Sequence, residues 1–484
     1  METNSSSLRK IYFRFVMRSW TPAILRFRQK KEALMFRSGW AALAAVIICV
    51  APGVVLAQIK FATFNASLNR NNAGELVSDL SSPGGDPNAT INNRIKQART
   101  VAEIVQRMNP DVLLINEFDY VGSNQAADLF QNNFLSTPQD TLGTGSPAAV
   151  VNYPFRRAFA SNTGIATGFD LNNNGVVVTT PGANGYGDDA FGFGAFPGQF
   201  AFSVYSKHPV EVGQIRTFQN FKWKDMPGNL LTNDPTPAGP NNLGTFYSDE
   251  EKAILRLSSK SHVDVPITID GQTIHFLVSH PTPPVFDGAE DRNGKRNHDE
   301  IRFWKDYITP GSGTYIYDDN GNIGGLVPGS KFVIAGDMNA DPNDGDSFAN
   351  AIHQLIDSPL INTTLTPTSL GGPQQSLLQG GANTTHLSNP IFDTADFADT
   401  APGNLRADYL LPSAGMPILD AGVFWPLNSD PYFPLVGTFN NPNLFAGFPS
   451  SDHRAVWIVI PEPGGFGLLA IAGLSLLGRR RWLR

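Results

Sequence analysis

The chain has 484 residues, room for one large domain or two ordinary ones. Its formal charge of −7 conceals an asymmetry: residues 1–57 and the last 24 hold 13 of the 36 basic and 3 of the 43 acidic residues, so the body keeps 23 basic against 40 acidic residues, a net charge of −17. That balance excludes a broad basic surface for nucleic acid, and a single cysteine, Cys49, excludes disulfides and zinc–thiolate sites from the body.

In chain order, the first element is not part of a fold. Residues 40–56, WAALAAVIICVAPGVVL, are almost wholly apolar, follow basic residues ending at Arg37, and lead through Val55-Leu56-Ala57 to Gln58. A basic region, an apolar core and a small-residue cleavage site in that order predict a secretory signal over 1–57 with a basic N-terminal extension; a start at Met35 would give it ordinary length. The alternative is an uncleaved anchor, but the run is short for a span of roughly 20 residues and contains Pro52.

The body, 58–460, reads as short apolar runs that end in polar residues. IKFATFN ends at Asn65, DVLLINE at Glu117, QTIHFLVSH at His280, and KFVIAGDMN at Asp337 and Asn339; FAFSVYSK follows Gly198-Gln199, and Asp452-His453 opens HRAVWIVI. Runs of this length, rich in Val, Ile and Phe, predict strands. Two helices are expected between them: NNRIKQARTVAEIVQRMNP, with an apolar stripe from Ile95 to Val105 and a stop at Pro110, and HDEIRFWKDYI over 298–308, with His298 as its cap. Interspersed strands and helices place the body in the α/β class.

Gly-, Asn- and Pro-rich segments at 136–196, 225–247, 309–330 and 358–404 interrupt this scheme and read as insertions around one domain. Three Asx-rich pieces, DLNNNG (170–175), DDNGN (318–322) and DPNDGD (341–346), admit calcium. The first fits the opening half of a calcium loop but has Pro181 where the closing Glu belongs, and turn chemistry alone also explains such runs.

The chain ends in PEPGGFGLLAIAGLSLLGRRRWLR: a Pro-Glu-Pro triplet, a Gly-rich apolar run and an arginine cluster. Residues 461–484 thereby resemble the PEP-CTERM sorting tag, which implies export, transient tethering to the inner membrane and an exosortase-type sorting machinery as partner; a plain C-terminal anchor is the alternative.

A carboxylate and an amide at the end of a buried strand need a reason, since an uncompensated buried charge costs several kcal/mol. Phe64-Asn65, Asn116-Glu117, Ser279-His280, Gly336–Asn339 (GDMN), Arg406–Tyr409 (RADY) and Ser451–His453 (SDH) occur in that order. Together they resemble the endonuclease/exonuclease/phosphatase superfamily, the group of deoxyribonuclease I, across roughly 58–460. The resemblance implies a four-layered sandwich of two packed β-sheets flanked by helices, with a site at one rim. It implies a phosphoesterase, a phosphomonoesterase or a nuclease, that hydrolyses a small phosphoester or nucleic acid by metal-assisted attack of water; export is expected from the two terminal segments. Oxygen ligands suit Mg²⁺ or Mn²⁺, with Glu117 foremost and Asn65 and Asp452 beside it. Asp337 would orient or deprotonate water, Asn339 and His280 would donate to the phosphate, and Asp408 would fix the tautomer of His453, which acts as base or as a charge. In extended chain, Asp337 and Asn339 would face the same way. No counterpart of the Tyr/Glu pair beside the first histidine is present; Gln199 and Ser203 are the nearest candidates to partner His280.

Each residue has a plainer reading. Asp337 could form a turn, Arg406–Asp408 a surface ion pair, Asp452 a strand cap, and Glu117 with Asp119 a solvated loop. The segment 280–300, HPTPPVFDGAEDRNGKRNHDE, either clamps an anion or a cation or is a salt-bridged loop. A non-catalytic surface or matrix-binding protein is the competing function.

Overall fold

The computed structural model describes residues 57–231, 246–438, 441, 444 and 447–462. The secretory segment 40–56 with Cys49, and the sorting segment beyond Glu462, lie outside the described residues. Among the described residues no helix is long and apolar enough to cross a membrane.

Among the described residues, eleven strands form two sheets: β1 (Gln58–Leu68), β2 (Val112–Phe118), β3 (Phe155–Phe159), β4 (Phe202–Ser206), β5 (Arg216–Thr217), β6 (His262–Ile269), β7 (Gln272–Ser279), β8 (Lys331–Asp337), β9 (Asp408–Pro412), β10 (Asp420–Val423) and β11 (Val456–Pro461). Their order is β10-β11-β1-β2-β4-β3 in the first sheet and β5-β6-β7-β8-β9 in the second. Helices α1 (Glu75–Ser81), α2 (Ala89–Met108), α3 (Gln125–Phe130), α4 (Asp249–Ile254), α5 (Arg292–Ile308), α6 (His353–Ile356) and α7 (Gly371–Gln379) connect them. The sheets share one core, in which Phe61 of β1 meets Phe276 of β7 with ring centroids 5.6 Å apart. A second core joins the other face of the β5–β9 sheet to Ile301, Phe303, Trp304 and Tyr307 of α5. Helix α2 buries the stripe from Ile95 to Val105 in the first core. This is the expected α/β sandwich, with helices outside two packed sheets.

The central strands are buried on both faces, which is why their sequences are continuous apolar runs. Strands β1 and β2 pair in parallel, as do β7 and β8, while β11 runs antiparallel to β1 and β9 to β8. The C-terminal ends of the parallel strands therefore share a rim with the starts of β9 and β11. Asn65, Glu117, His280 and Asp337, which close their apolar runs, are delivered to that rim.

Helix α2 begins at Ala89, where the Asn88 side chain accepts from the amides of Thr90 and Ile91, and it stops at a left-handed Asn109 before Pro110. Helix α5 starts at Arg292, earlier than expected, so His298 lies inside it and caps nothing. Its Trp304 indole donates to Ser279 Oγ at 2.9 Å and pins the end of β7 one residue before His280.

His262, at the start of β6, is buried against Phe303 and Trp304, with Nδ1 on Ser258 Oγ and Nε2 on the Glu300 carbonyl. Burial pushes its pKa down from 6.5 to about 3, so the folded protein holds it neutral. Its contribution to stability is whole above pH 6.5 and is lost as pH falls toward 3, because the unfolded chain then binds a proton that the fold refuses. His262→Gln is expected to remove up to roughly 4 kcal/mol of that acid sensitivity. Urea midpoints of the protein and the variant at pH 7 and pH 4 check it; the gap between them should narrow or reverse at pH 4.

Candidate active site

Asp337 is the last residue of β8 and lies 1% exposed. Its Oδ2 receives Asn65 Nδ2 at 3.0 Å and lies 3.3 Å from His280 Nε2 and 3.6 Å from His453 Nε2. Its Oδ1 accepts the Asn339 amide at 2.9 Å. Burial alone would raise this carboxyl, but His453 and His280 hold it far below the usual carboxylate range. It is both the turn former of the plain reading and the hub of the site.

Asn65 comes from the end of β1 and bridges two carboxylates, its amide nitrogen also donating to Glu117 Oε1 at 3.2 Å. Its oxygen takes the Ser67 amide at 3.3 Å, where β1 loses register and Ser67 turns left-handed (φ 47°). Glu117, near the end of β2, itself has φ 56°, a costly conformation for a non-glycine residue and one that concentrates at functional sites. Burial, then the neighbouring Asp452, push its carboxyl up to about 7. Asp452 accepts from Ser67 Oγ at 3.2 Å and Ser451 Oγ at 3.3 Å.

His453 precedes β11, and its Nδ1 lies 2.8 Å from Asp408 Oδ2, at the start of β9. Burial opposes a charge on His453, yet Asp408 and Asp337 hold the imidazole protonated well above its ordinary pKa. Burial pushes the Asp408 carboxyl up, and Thr394 Oγ1 donates to its Oδ2 at 2.9 Å. The same Thr394 hydroxyl accepts the Ala407 and Asp408 amides and so fixes the carboxylate it serves. Asp408 is thus spent on His453, while Arg406 stacks on the Tyr409 ring at 4.4 Å.

Gly336 is required by space as well as conformation. It has φ 149°, and a Cβ there would stand 2.0 Å from the Ser279 carbonyl. Asn339 lies beyond the strand in a left-handed conformation (φ 49°), so the extended-chain argument that set it beside Asp337 does not hold. Its amide nitrogen instead reaches the Pro281 carbonyl at 3.1 Å, next to His280. Burial, then the charge of Lys260, push the His280 imidazole down to about 4.

The expected partners of His280 do other work. Gln199 donates to the Arg70 carbonyl at 2.6 Å and accepts the Ala195 amide, Ser203 lies beside Tyr205, and His280 Nδ1 has no partner among the described residues. Asp119 is not a solvated loop residue: it is 1% exposed and accepts the Arg70 and Phe200 amides. Burial pushes its carboxyl up to about 8.

Much of the 280–300 segment is structural. Arg296 donates to the carbonyls of Leu257, Phe191 and Arg256, Lys295 donates to the Glu290 carbonyl, and Arg292 pairs with Glu290. Asp170 and Asp318, from the Asx-rich runs, accept amides of their own loops, and Asp341 accepts those of Asn343 and Asp344; these are turns.

Sequence reasoning missed Thr394 and Lys260. Lys260 is 7% exposed, and its ammonium reaches the Pro281 carbonyl at 3.4 Å. Neither carried a local signal: Thr394 lies in a polar insertion and Lys260 is a lone lysine before an apolar strand.

The donor set suits a hard divalent cation. Glu117 and Asp452 are neighbouring carboxylates whose mutual repulsion such an ion would relieve, with Asn65 between Glu117 and Asp337. Separately, one oxygen or nitrogen from each of Asp337, Asp408 and His453 lies within 4.8 Å of the others.

No curated protein matches the chain. Similar solved structures include an endonuclease/exonuclease/phosphatase from Beutenbergia cavernae, at 15% identity over 84% of this chain and 72% of that one, with a TM-score of 0.40. Beta toxin from Staphylococcus aureus and sphingomyelinase C from Streptomyces griseocarneus each show 13% identity over 83% of this chain and 99% of theirs, with TM-scores of 0.39. The family model of the endonuclease/exonuclease/phosphatase family matches residues 62–453, the span that holds every site residue described above, and the chain belongs to that family.

Proposed function

We propose that the protein is an exported, divalent-metal-dependent phosphoesterase whose substrate is a small phosphoester rather than a nucleic acid. The observation that carries this reading is the meeting of Asp337 Oδ2 with Asn65, His280 and His453 at one buried point of the rim.

In this reading Glu117 and Asp452, with Asn65 beside them, would hold a Mg²⁺ or Mn²⁺ ion. When bound, the ion supplies positive charge to the phosphoryl oxygens. Asp337, ionised, orients the attacking water and takes its proton. His453, clamped by Asp408, meets the charge that develops on the phosphoryl group, and His280 and Asn339 donate to its oxygens. One Asn339 amide hydrogen is used on Pro281, which leaves the other for substrate. The body is acidic, and two of its arginines are engaged within the fold. Arg156 pairs with Asp128 at 2.6 Å and Arg296 is bound to backbone carbonyls. Export rests on the apolar segment 40–56 and the tag-like 461–484, and fractionation of expressing cells checks it.

The test is a panel of 4-nitrophenyl phosphate, plasmid DNA and RNA, each with Mg²⁺, with chelator, and after metal is restored. Turnover of the small ester that chelator abolishes and Mg²⁺ or Mn²⁺ restores is expected. Nuclease activity alone would overturn the substrate class, and no phosphoester turnover with metal present would overturn the reading.

A further inference from the structure

The site contains a cation that the reading above leaves without a task. Lys260 lies between Ser259 and Ser261, just before β6, and is 7% exposed. Its ammonium makes no ion pair among the described residues; its one hydrogen bond there is the long one, 3.4 Å, to the Pro281 carbonyl. That carbonyl is also the acceptor for Asn339 Nδ2 at 3.1 Å, so the ammonium and the Asn339 amide converge on one atom beside His280. Burial works against the charge on this ammonium, and Glu300, then Asp337 and Glu117, favour it from beyond ion-pair distance, so it is only partly compensated and an arriving anion would complete it.

The surrounding wall is built to hold it there. Glu300 is fully buried and accepts the amides of Ser259 at 2.7 Å and Thr282 at 2.6 Å, fastening the segment that carries Lys260 to the one that carries His280. Asn297, also fully buried, donates to the carbonyls of Thr282 and Met338. On the same wall Ser259 Oγ, Thr282 Oγ1 and His280 Nδ1 are buried polar atoms with no partner among the described residues. Such groups are the mark of a place that a polar ligand or water completes.

We propose that Lys260 seats a bare, charged phosphoryl oxygen and that the substrate is therefore a phosphate monoester. This rests on the phosphoesterase reading and deepens it. A monoester dianion carries one more negative charge than a diester into a site already lined by Asp337, Asp408, Glu117 and Asp452. A buried ammonium offsets that charge.

The experiment compares the protein with Lys260→Met and Lys260→Arg in two assays. Calorimetric binding of inorganic phosphate to the Mg²⁺-loaded protein should weaken roughly ten- to a hundredfold in Lys260→Met and partly recover in Lys260→Arg. With 4-nitrophenyl phosphate and bis(4-nitrophenyl) phosphate, the monoester-to-diester ratio of kcat/KM should fall at least about tenfold in Lys260→Met. Thermal midpoints of both variants confirm that they are folded under the assay conditions. Equal phosphate binding by protein and variant, or an equal loss on both esters, overturns the assignment. If the protein turns over neither ester, the phosphoesterase reading fails, and the phosphate titration still decides whether Lys260 is an anion seat.

Discussion

Asp337→Asn is expected to lower phosphoester turnover by roughly three orders of magnitude while the protein stays folded. The substitution keeps the size of the side chain and leaves Oδ1 able to accept the Asn339 amide. What it removes is the negative charge at Oδ2, on which Asn65, His280 and His453 converge. An amide group in that position presents hydrogens to the Asn65 amide, and it cannot take a proton from water. His453 also loses one of the two carboxylates that hold it charged, so the loss should fall on kcat more than on KM. Steady-state kinetics beside a urea denaturation curve separates this from unfolding; a loss below about tenfold would remove Asp337 from the chemistry.

The largest effect on stability is expected at Glu300. Glu300→Ala should cost about 3–5 kcal/mol, because it strands the buried amides of Ser259 and Thr282 and opens a cavity under α5. It also removes the negative charge nearest Arg296 and Lys260, two cations buried in the same wall. Glu300→Gln keeps one acceptor oxygen and should cost less than half as much. Denaturant midpoints of the two variants check this. A loss below about 1 kcal/mol for Glu300→Ala would mean that the two amides find other acceptors.

How much of this was legible in the sequence follows from where the information lay. A strand buried on both faces writes a continuous apolar run, and a site at its end writes the polar residue that closes the run. Asn65, Glu117, His280 and Asp337 were found that way, and the structure places them around one point. Helix α2 carried its stripe and its stop at Pro110 in the sequence. Strand β6 did not announce itself: Pro266 interrupts it, although the Asp270-Gly271 pair that follows, with φ of 50° and 72°, is a two-residue hairpin turn and a usable signal. The start of α5 was hidden because Asn293 and Gly294 are poor helix formers. The helix is held there by tertiary bonds, Lys295 to the Glu290 carbonyl and Asn297 to Thr282 and Met338. Asn339 was misplaced because the strand ends two residues earlier and the chain turns left-handed. Lys260 and Thr394 act through neighbours distant in the chain, and no local pattern records that.

We propose that residues from β1, β2 and the approach to β11 make one divalent-cation site beside Asp337. Calorimetric titration of Mn²⁺ into the protein and into Glu117→Gln/Asp452→Asn tests it most directly. A tight site is expected in the protein and is expected to be lost in the double variant. Equal Mn²⁺ binding by both, or none by either, would contradict it.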